Sequence, residues 1–586
     1  MMKSNYDKCP YIPVIHGDGE VPCCWSGWAG VLDEAAGSLT GLRGRKVLTI
    51  ECYTGVDEEE LADAVAGHLP SATLFRSKDV FLSENEVDAL VAPFNGGDDP
   101  VFGFMTNLTM ESYLDPVKVE AMRASIADVG GIVVLIGSGA SLVDAGDVLV
   151  YADLARWEAQ MRMRRNDIAN LGTANNTLKW SLQYKRAFFN DWRVCDELKM
   201  RLVGKCDYVL DTCRPNEPKM ITAGDEARAY ELALKRPFRV VPFFDPAPWG
   251  GQWMKRTCDL PDGPENYGWC FDGVPEENSI VFRFGEHFVE LPSINLVLRE
   301  PQRLLGEKVY ARFGAEFPIR FDLLDTIGGG HLSFQVHPLT EYIKEQFGMG
   351  YTQDESYYML DADEGATVYL GLKEGIEPDA MLADLEAAQR GEKPFDDEQF
   401  VCRWPAKKHD HFLIPAGTCH CSGAGAMVLE ISATPYIFTF KLWDWGRLGL
   451  DGQPRPINIG HGKKNILWDR TEDMVRRELV NAVEELERTP EWREERTGLH
   501  ATEFIETRRH WFTGPVEHHT HGGVNMLNLV EGREAVVESP TGAFEPFVVH
   551  YAETFIIPAA VGPYVIRPHG ESVGAECATL KAFVRS

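Results

Sequence analysis

Hydrophobic and polar positions divide this chain into stretches of different period. From about residue 41 to 235, fully apolar runs alternate with amphipathic ones. KVLTIE (46–51), GIVVLIGSGASLV (131–143) and DVLVYADL (147–154) are apolar on both faces, which predicts strands of a parallel sheet covered on either side. DEEELADAVAGHL (57–69) has apolar residues at helical spacing. RWEAQMRMRRNDI (156–168) predicts a basic helix whose Arg and Glu residues form solvated ion pairs. From about 240 onward, short period-two runs are separated by Gly and Pro turns, the pattern of an antiparallel barrel. EPDAMLADLEAAQRGEKPFDDEQF (377–400) predicts a helical insertion, and TEDMVRRELVNAVEELERT (471–489) a helical passage. The runs from 506 to the C-terminus predict a second barrel.

The expected fold class is therefore multidomain α/β plus all-β. It comprises a loop-rich N-terminal extension over 1–40 and a parallel-sheet α/β domain over 41–238. A metal-binding barrel with its helical insertion follows over 239–465, then a helical linker and second barrel over 466–586. At 586 residues the chain is too long for one core. No run of about eighteen apolar residues predicts a membrane span, and the N-terminus shows no signal-peptide pattern, so the cytoplasm is the expected location. A net charge of −31 repels nucleic acid and anionic membrane, and leaves room for a local basic pocket that takes one small phosphate. A homo-oligomer remains open. The 13 cysteines are scattered; the Cys23–Cys24 pair and the Cys419-x-Cys421 spacing lack a second pair and read as reduced thiols.

Candidate chemistry concentrates in LSFQVHP (332–338), QDESYYML (353–360) and IPAGTCHCSG (414–423). Gln335 and His337 stand two apart on a strand and share a face. Glu355 opens the next apolar run, and His420 follows a Pro-Ala-Gly turn. Two imidazoles, a carboxylate and an amide oxygen suit one zinc ion, or manganese, iron or cobalt, with coordination positions left open. The cluster HHTH (518–521) places His519 and His521 in alternation on one strand face and reads as surface or structural.

The words around these residues carry a resemblance. FPIRFDLLDTIGGGHLSFQVHPLTEYI (317–343), DESYYMLDADEGATVYLGLKEG (354–375), FLIPAGTCH (412–420), VLEIS (428–432) and WDWGRLGLDGQPRP (443–456) resemble the type I mannose-6-phosphate isomerases, zinc enzymes of the cupin superfamily. WGGQW (249–253) resembles that family's first strand. The resemblance covers about 240 to the C-terminus. It implies Gln335, His337, Glu355 and His420 as zinc ligands, and Ser333 near the phosphate end of the pocket. Three family cations are replaced: a lysine before the ligand glutamate is Gln353, an arginine after the Leu-Glu-Ile strand is Lys441, and a lysine beyond the Phe-Pro pair aligns with Asp322. Arg320 stands two residues earlier on the same face and can substitute for that charge.

An aldose–ketose isomerase moves a proton between C1 and C2 through a cis-enediol, which needs a positioned base and cations for the phosphate. Lys441 and Arg320 are the expected catalytic cations; Ser333, Gln353 and Arg447 are expected to bind substrate, with Lys407 and Lys408 as further charge. His409 and His411 are alternative proton carriers. Mannose 6-phosphate to fructose 6-phosphate is the reaction the resemblance implies. Isomerisation of another, unphosphorylated sugar, and a non-catalytic sugar or sugar-phosphate sensor, are the alternatives.

The order of elements over 41–238 resembles a nucleoside or uridine kinase fold. A phosphate loop requires glycines and a lysine in G-x-x-x-x-G-K-[ST]. CYTGVDEEE (52–60) instead has one glycine, no lysine and acids at Asp57, Glu58, Glu59 and Glu60. Those acids suit a helix N-terminus and repel phosphate, so a degenerate, non-phosphorylating domain is expected.

Overall fold

The computed structural model describes residues 4–15, 22–42, 44–433, 436–498, 500 and 502–585. The chain divides into two units, one built from Tyr11–Ala233 with Ser279–Arg299, the other from Met1–Pro10, Leu234–Asn278 and Glu300–Ser586. It is a mixed α/β protein with several sheets.

The first unit is organised on a seven-stranded sheet. Its order is Trp25–Ser26, Lys219–Thr222, Tyr208–Asp211, Val148–Asp153, Lys46–Cys52, Ile132–Gly137, Thr73–Arg76. The last five are parallel, with Leu48 level with both Val134 and Val148. The two edge strands at the other end run antiparallel. Central strands such as Val148–Asp153 are buried along their whole length, as their unbroken apolar runs require.

The helix after the first parallel strand spans Glu58–His68, and Asp57 caps it by accepting from the amides of Glu59 and Glu60. Across the same sheet end, Glu51 accepts from the amides of Gly139 (2.6 Å) and Ser141 (2.7 Å), and Glu58 from that of Ser138 (3.2 Å). Burial pushes the Glu51 carboxyl up to about 7. The backbone donors at this edge are thus satisfied by the chain's own carboxylates.

Two expectations change here. The stretch 1–40 contains a helix, Gly27–Gly37, whose Val31, Leu32 and Ala35 are buried; the apolar spacing was present but short. The basic helix, Arg156–Arg164, is not solvated: Arg156, Glu158 and Arg162 are buried. Arg156 pairs with Asp196 and stacks 4.9 Å from the ring centre of Trp192, while Glu158 accepts from Arg162 at 3.0 Å. Ions leave water only when partners await them, and these partners come from distant elements that local pattern does not reveal.

The second unit is antiparallel β, in two successive pairs of sheets. In the first pair, a six-stranded sheet runs His411–Ile414, Glu355–Ala362, Ala426–Ser432, Arg320–Asp325, Trp269–Gly273, Phe243–Asp245. Its companion runs Val401–Pro405, Thr367–Leu372, His420–Ser422, Phe334–Val336, Phe440–Trp443. The insertion is helical over Pro378–Gln389 and Asp397–Phe400.

In the second pair, six strands (Glu484–Arg488, Trp492–Gly498, Ile505–Phe512, Cys577–Val584, Asn525–Glu531, Thr554–Ile557) stand with four (Val516–His519, Pro563–Pro568, Glu534–Glu538, Phe547–His550). Phe512, Leu527, Leu529 and Phe555 of the larger sheet share a core with Val516, Val537, Tyr564 and Ile566 of the smaller.

The passage 471–489 is only partly helical. Glu472–Glu478 forms a helix, but Glu484–Arg488 is a strand paired with Trp492–Gly498. Thr489 closes the hairpin, its amide donating to the carbonyl of Trp492 at 2.7 Å and its hydroxyl accepting from the Trp492 amide at 3.0 Å. That turn, followed by Pro490, overrides the helix propensity of EELER. His519 ends its strand, while His521 lies beyond it with φ 51°, so the two do not alternate along one strand. All 13 cysteines are free thiols. Among the described residues no helix is long and apolar enough to cross a membrane.

Candidate metal centre and its cavity

Strand pairing brings the sequence-distant donors together. Gln335 is level with His420 on one neighbour and with Lys441 on the other, so the three lie in a row across the smaller sheet. Glu355 enters from the larger sheet, level with Ser432. Gly417, with φ 86°, makes the turn that leads into His420, and its amide donates to the carbonyl of His337 at 3.1 Å.

The result is compact. His337 Nε2 lies 2.9 Å from Glu355 Oε2, His420 Nε2 lies 3.1 Å from Glu355 Oε1, and Gln335 Nε2 is 3.2 Å from His420 Nε2. All three acid and imidazole groups are buried, and their facing atoms lie within 4.8 Å of one another. Each imidazole has its other nitrogen committed: His337 Nδ1 sits 2.8 Å from the carbonyl of Phe438, and His420 Nδ1 2.9 Å from that of Thr418. A carbonyl can only accept, so both Nδ1 atoms carry the proton and both Nε2 lone pairs face the carboxylate. Burial works against charge both on Glu355 and on His420. An anionic oxygen pair facing two bare imidazole nitrogens is a cation receptor, and its donor set fits a divalent metal. The Gln335 amide, turned over, offers its oxygen to the same point.

A cavity of about 150 Å³ opens beside this cluster, lined by Glu355, Gln335, Ser333, Gln353, Arg320 and Lys441, with Trp249, Trp269, Leu324, Leu332 and Tyr357 as apolar walls. Burial pushes Lys441 down to about 7; Arg455 and Arg447 add to this and Asp444 opposes it. Arg320 is buried and paired with Asp322 at 2.6 Å. Ser333 donates to Asp444 at 3.0 Å, and Gln353 donates to Glu355 at 3.1 Å while accepting from the Phe438 amide at 2.9 Å.

Arg447 is not among the lining residues: its Nε donates to Asp444 at 3.0 Å. Arg455 lines the cavity instead, with Nη1 3.0 Å from Asp444. His409, His411, Lys407 and Lys408 do not line it either. His409 and Lys408 turn to Glu531, and His411 is buried.

Two lining residues escaped sequence reasoning, Arg455 and Glu430. Glu430 is level with Asp322, and burial, then Glu355 and Asp322, raise its carboxyl well above the usual range, with Ser432 donating to it at 2.9 Å. Its signal was an acid in the middle of the apolar run AMVLEIS, which alternation turns to the face opposite Leu429.

Comparison with known proteins places relatives beside this geometry. A domain family of unknown function, DUF8485, matches residues 27–235. The chain is 28% identical over 214 residues to mannose-6-phosphate isomerase of Streptococcus mutans, covering 36% of this chain and 61% of that protein. It is 31% identical over 146 residues to the probable mannose-6-phosphate isomerase GmuF of Bacillus subtilis, covering 25% and 43%. The aligned parts thus span less than two thirds of these relatives' lengths. Among solved structures, the mannose 6-phosphate isomerase of Bacillus subtilis aligns with a TM-score of 0.47 at 19% identity, over 59% of this chain and 99% of that one. A zinc-bound mannose 6-phosphate isomerase aligns with a TM-score of 0.44 at 15% identity, over the same shares. In sequence, part of this chain is similar to the mannose-6-phosphate isomerases.

Proposed function

We propose that the protein is a metal-dependent aldose–ketose isomerase, with mannose 6-phosphate to fructose 6-phosphate as its reaction. The observation that carries this reading is the His337–Glu355–His420 cluster, whose Glu355 lines a cavity that also holds Lys441. Gln335, His337, Glu355 and His420 would hold one zinc ion, with manganese, iron or cobalt as substitutes. The chemistry such an ion supplies is polarisation of a sugar hydroxyl or carbonyl oxygen. The chain's own groups do the rest. Lys441, pushed down to about 7 by burial and so about half unprotonated near pH 7, accepts the proton from the carbon next to the carbonyl. Glu430, held protonated by burial, is placed to give and recover a proton at the substrate oxygens. Arg320 and Arg455 face the open part of the cavity as cations, and Ser333 and Gln353 orient hydroxyls. The tryptophan walls exclude water from the enediol.

The sheet pairs support reading residues 239–465 and 466–586 as two cupin barrels, the second led in by a helical linker. The parallel order of the first unit supports a nucleoside-kinase-like domain without its phosphate loop, over 41–238, preceded by an extension over 1–40. We place the protein in the cytoplasm, acting on a small sugar phosphate.

One observation favours a second sugar. Arg320 is neutralised by Asp322 and Arg455 by Asp444, and Gln353 stands where the resembled family has a lysine. A pocket with its cations already paired suits an unphosphorylated ketose or aldose equally. Turnover of mannose 6-phosphate by the zinc-loaded protein, abolished by a chelator and restored by zinc, tests the proposal. Zinc-restored turnover of mannose alone would select the second sugar, and turnover that persists in His337→Ala would refute the ligand set.

A further inference from the structure

The second pair of sheets contains a polar layer that the proposed isomerase does not use. Above the apolar core of Phe512, Val516 and Ile566, strand register sets His510 level with Thr579 and His518 level with Tyr564. The next level toward the opening holds Arg508 opposite Lys581. The rings of His510 and His518 meet edge to face with centres 4.5 Å apart, and His518 stacks on Tyr564 at 5.0 Å.

These groups are buried and short of partners. His510 is 3% exposed, His518 7%, Thr579 0% and Lys581 8%. Neither nitrogen of His518, nor Nδ1 of His510, nor the hydroxyl of Thr579 has a hydrogen-bond partner. The Lys581 ammonium makes neither a hydrogen bond nor an ion pair among the described residues. Glu494 is already committed to His510 (3.2 Å) and Arg508 (3.0 Å), and Glu506 to Arg508 (2.7 Å). Four unpartnered, buried polar atoms cost several kcal/mol unless a bound group supplies their hydrogen bonds.

The hydrogen-bond logic specifies what would fill it. Glu494 can only accept, so His510 Nε2 carries the proton and its Nδ1 is a bare acceptor. Lys581 is a donor that rests over the Phe583 ring, 5.7 Å from its centre. The complementary ligand therefore combines an anionic oxygen for Lys581 with a hydroxyl proton for His510, and accepts from or donates to Thr579 and His518. His519 and His521 stand outside this layer with ring centres 4.8 Å apart, and His521 is lowered by burial, then by His519, Lys581 and Arg508.

We propose that the second pair of sheets holds a small hydroxyl-bearing oxyanion, of the phosphate or phosphate-ester class, between Lys581, His510, His518 and Thr579. Burial places Lys581 at about 8, with Arg508 adding to the effect and Glu494 and Glu506 opposing it, so an anion would also secure its charge.

Calorimetric titration of the full chain with inorganic phosphate at pH 7.5, with sulfate for comparison, tests this. The expected result is one saturable phosphate per chain, retained in Lys441→Met of the first site and weakened at least tenfold in Lys581→Met. Phosphate should also bind at least tenfold more tightly than sulfate, which has no hydroxyl to give to His510. Glucose 6-phosphate in the same titration distinguishes an ester from the free ion, and tight binding of either satisfies the proposal. Absence of saturable binding, equal binding of phosphate and sulfate, or binding lost in Lys441→Met and kept in Lys581→Met overturns it. If Lys581→Met does not fold, acylation of the unaltered protein with acetic anhydride, read by mass spectrometry, decides the matter: phosphate should shield Lys581, and equal labelling with and without phosphate refutes the site.

Discussion

Nε2 of His337 faces Oε2 of Glu355 at 2.9 Å, with the opposite nitrogen of the same ring held by the carbonyl of Phe438. That bond places a ring proton on Nδ1, and a cation shared between Nε2 and the carboxylate would satisfy the contact. Glu355→Gln removes the charge and keeps the shape. Metal content by mass spectrometry should fall from one ion per chain, with affinity reduced by more than the about 10–100-fold typical of losing an outer-shell partner. One tightly held ion in that variant would exclude Glu355 as a ligand.

Lys441 and the metal cluster are expected to separate experimentally. Lys441→Met should lower kcat by roughly 10²–10⁴-fold, the usual share of a positioned base, with bound metal unchanged. Lys441→Arg should not restore it, since a guanidinium stays protonated and cannot accept. Steady-state rates and metal analysis on the same preparations check both statements. A kcat within threefold of the parent would assign the proton transfer elsewhere, Glu430 first.

The turn into His420 rests on one glycine. Gly417 has φ 86°, and a Cβ there would stand 2.7 Å from Cγ of Leu467. Gly417→Ala should cost about 1–3 kcal/mol through backbone strain and crowding, and should move His420 enough to weaken metal binding at least tenfold. Denaturant unfolding of the apo protein separates the first effect from the second.

His411 sets an acid limit on stability. Burial, then Arg509, lowers it to about 3 against a backbone hydrogen bond at Thr497. The folded chain keeps it neutral while the unfolded chain protonates it near 6.5, so stability is full above about 6.5 and falls as pH drops toward 3. At pH 5 the accumulated loss is about 2 kcal/mol, and His411→Phe should recover about that much there while changing little at pH 8. Urea unfolding at the two pH values measures it; equal shifts at both would show that packing, not titration, is responsible.

The first unit should not bind nucleotide. Calorimetry with ATP and magnesium is expected to show no heat of binding, because the donors at the sheet edge are taken by Glu51, Glu58 and Asp57. Asp57→Ala should cost about 1 kcal/mol as the loss of a helix cap. Tight, magnesium-dependent ATP binding would contradict the assignment of these carboxylates.

What the residues disclosed in advance follows a physical divide. Strands such as Lys46–Cys52 and Val148–Asp153 were legible because an apolar run buried on both faces has one economical home. The four residues of the candidate metal centre were singled out by their words, but that Gln335, His420 and Lys441 stand in one row depends on strand register, which no local period encodes. Arg455 and Glu430 were missed for the same reason: each is ordinary in its own segment and becomes a cavity wall only through partners far away in sequence. The strand Glu484–Arg488 was hidden because helix-forming residues were redirected by a turn.

Glu51, seated between the amides of Gly139 and Ser141, gives the first unit a constitutive state. Domains whose anion seat is empty gain stability by mass action when ligand rises, and loosen when it falls. Here the seated carboxylate is tethered and its concentration never changes, so the stabilisation it gives does not follow the supply of any free anion.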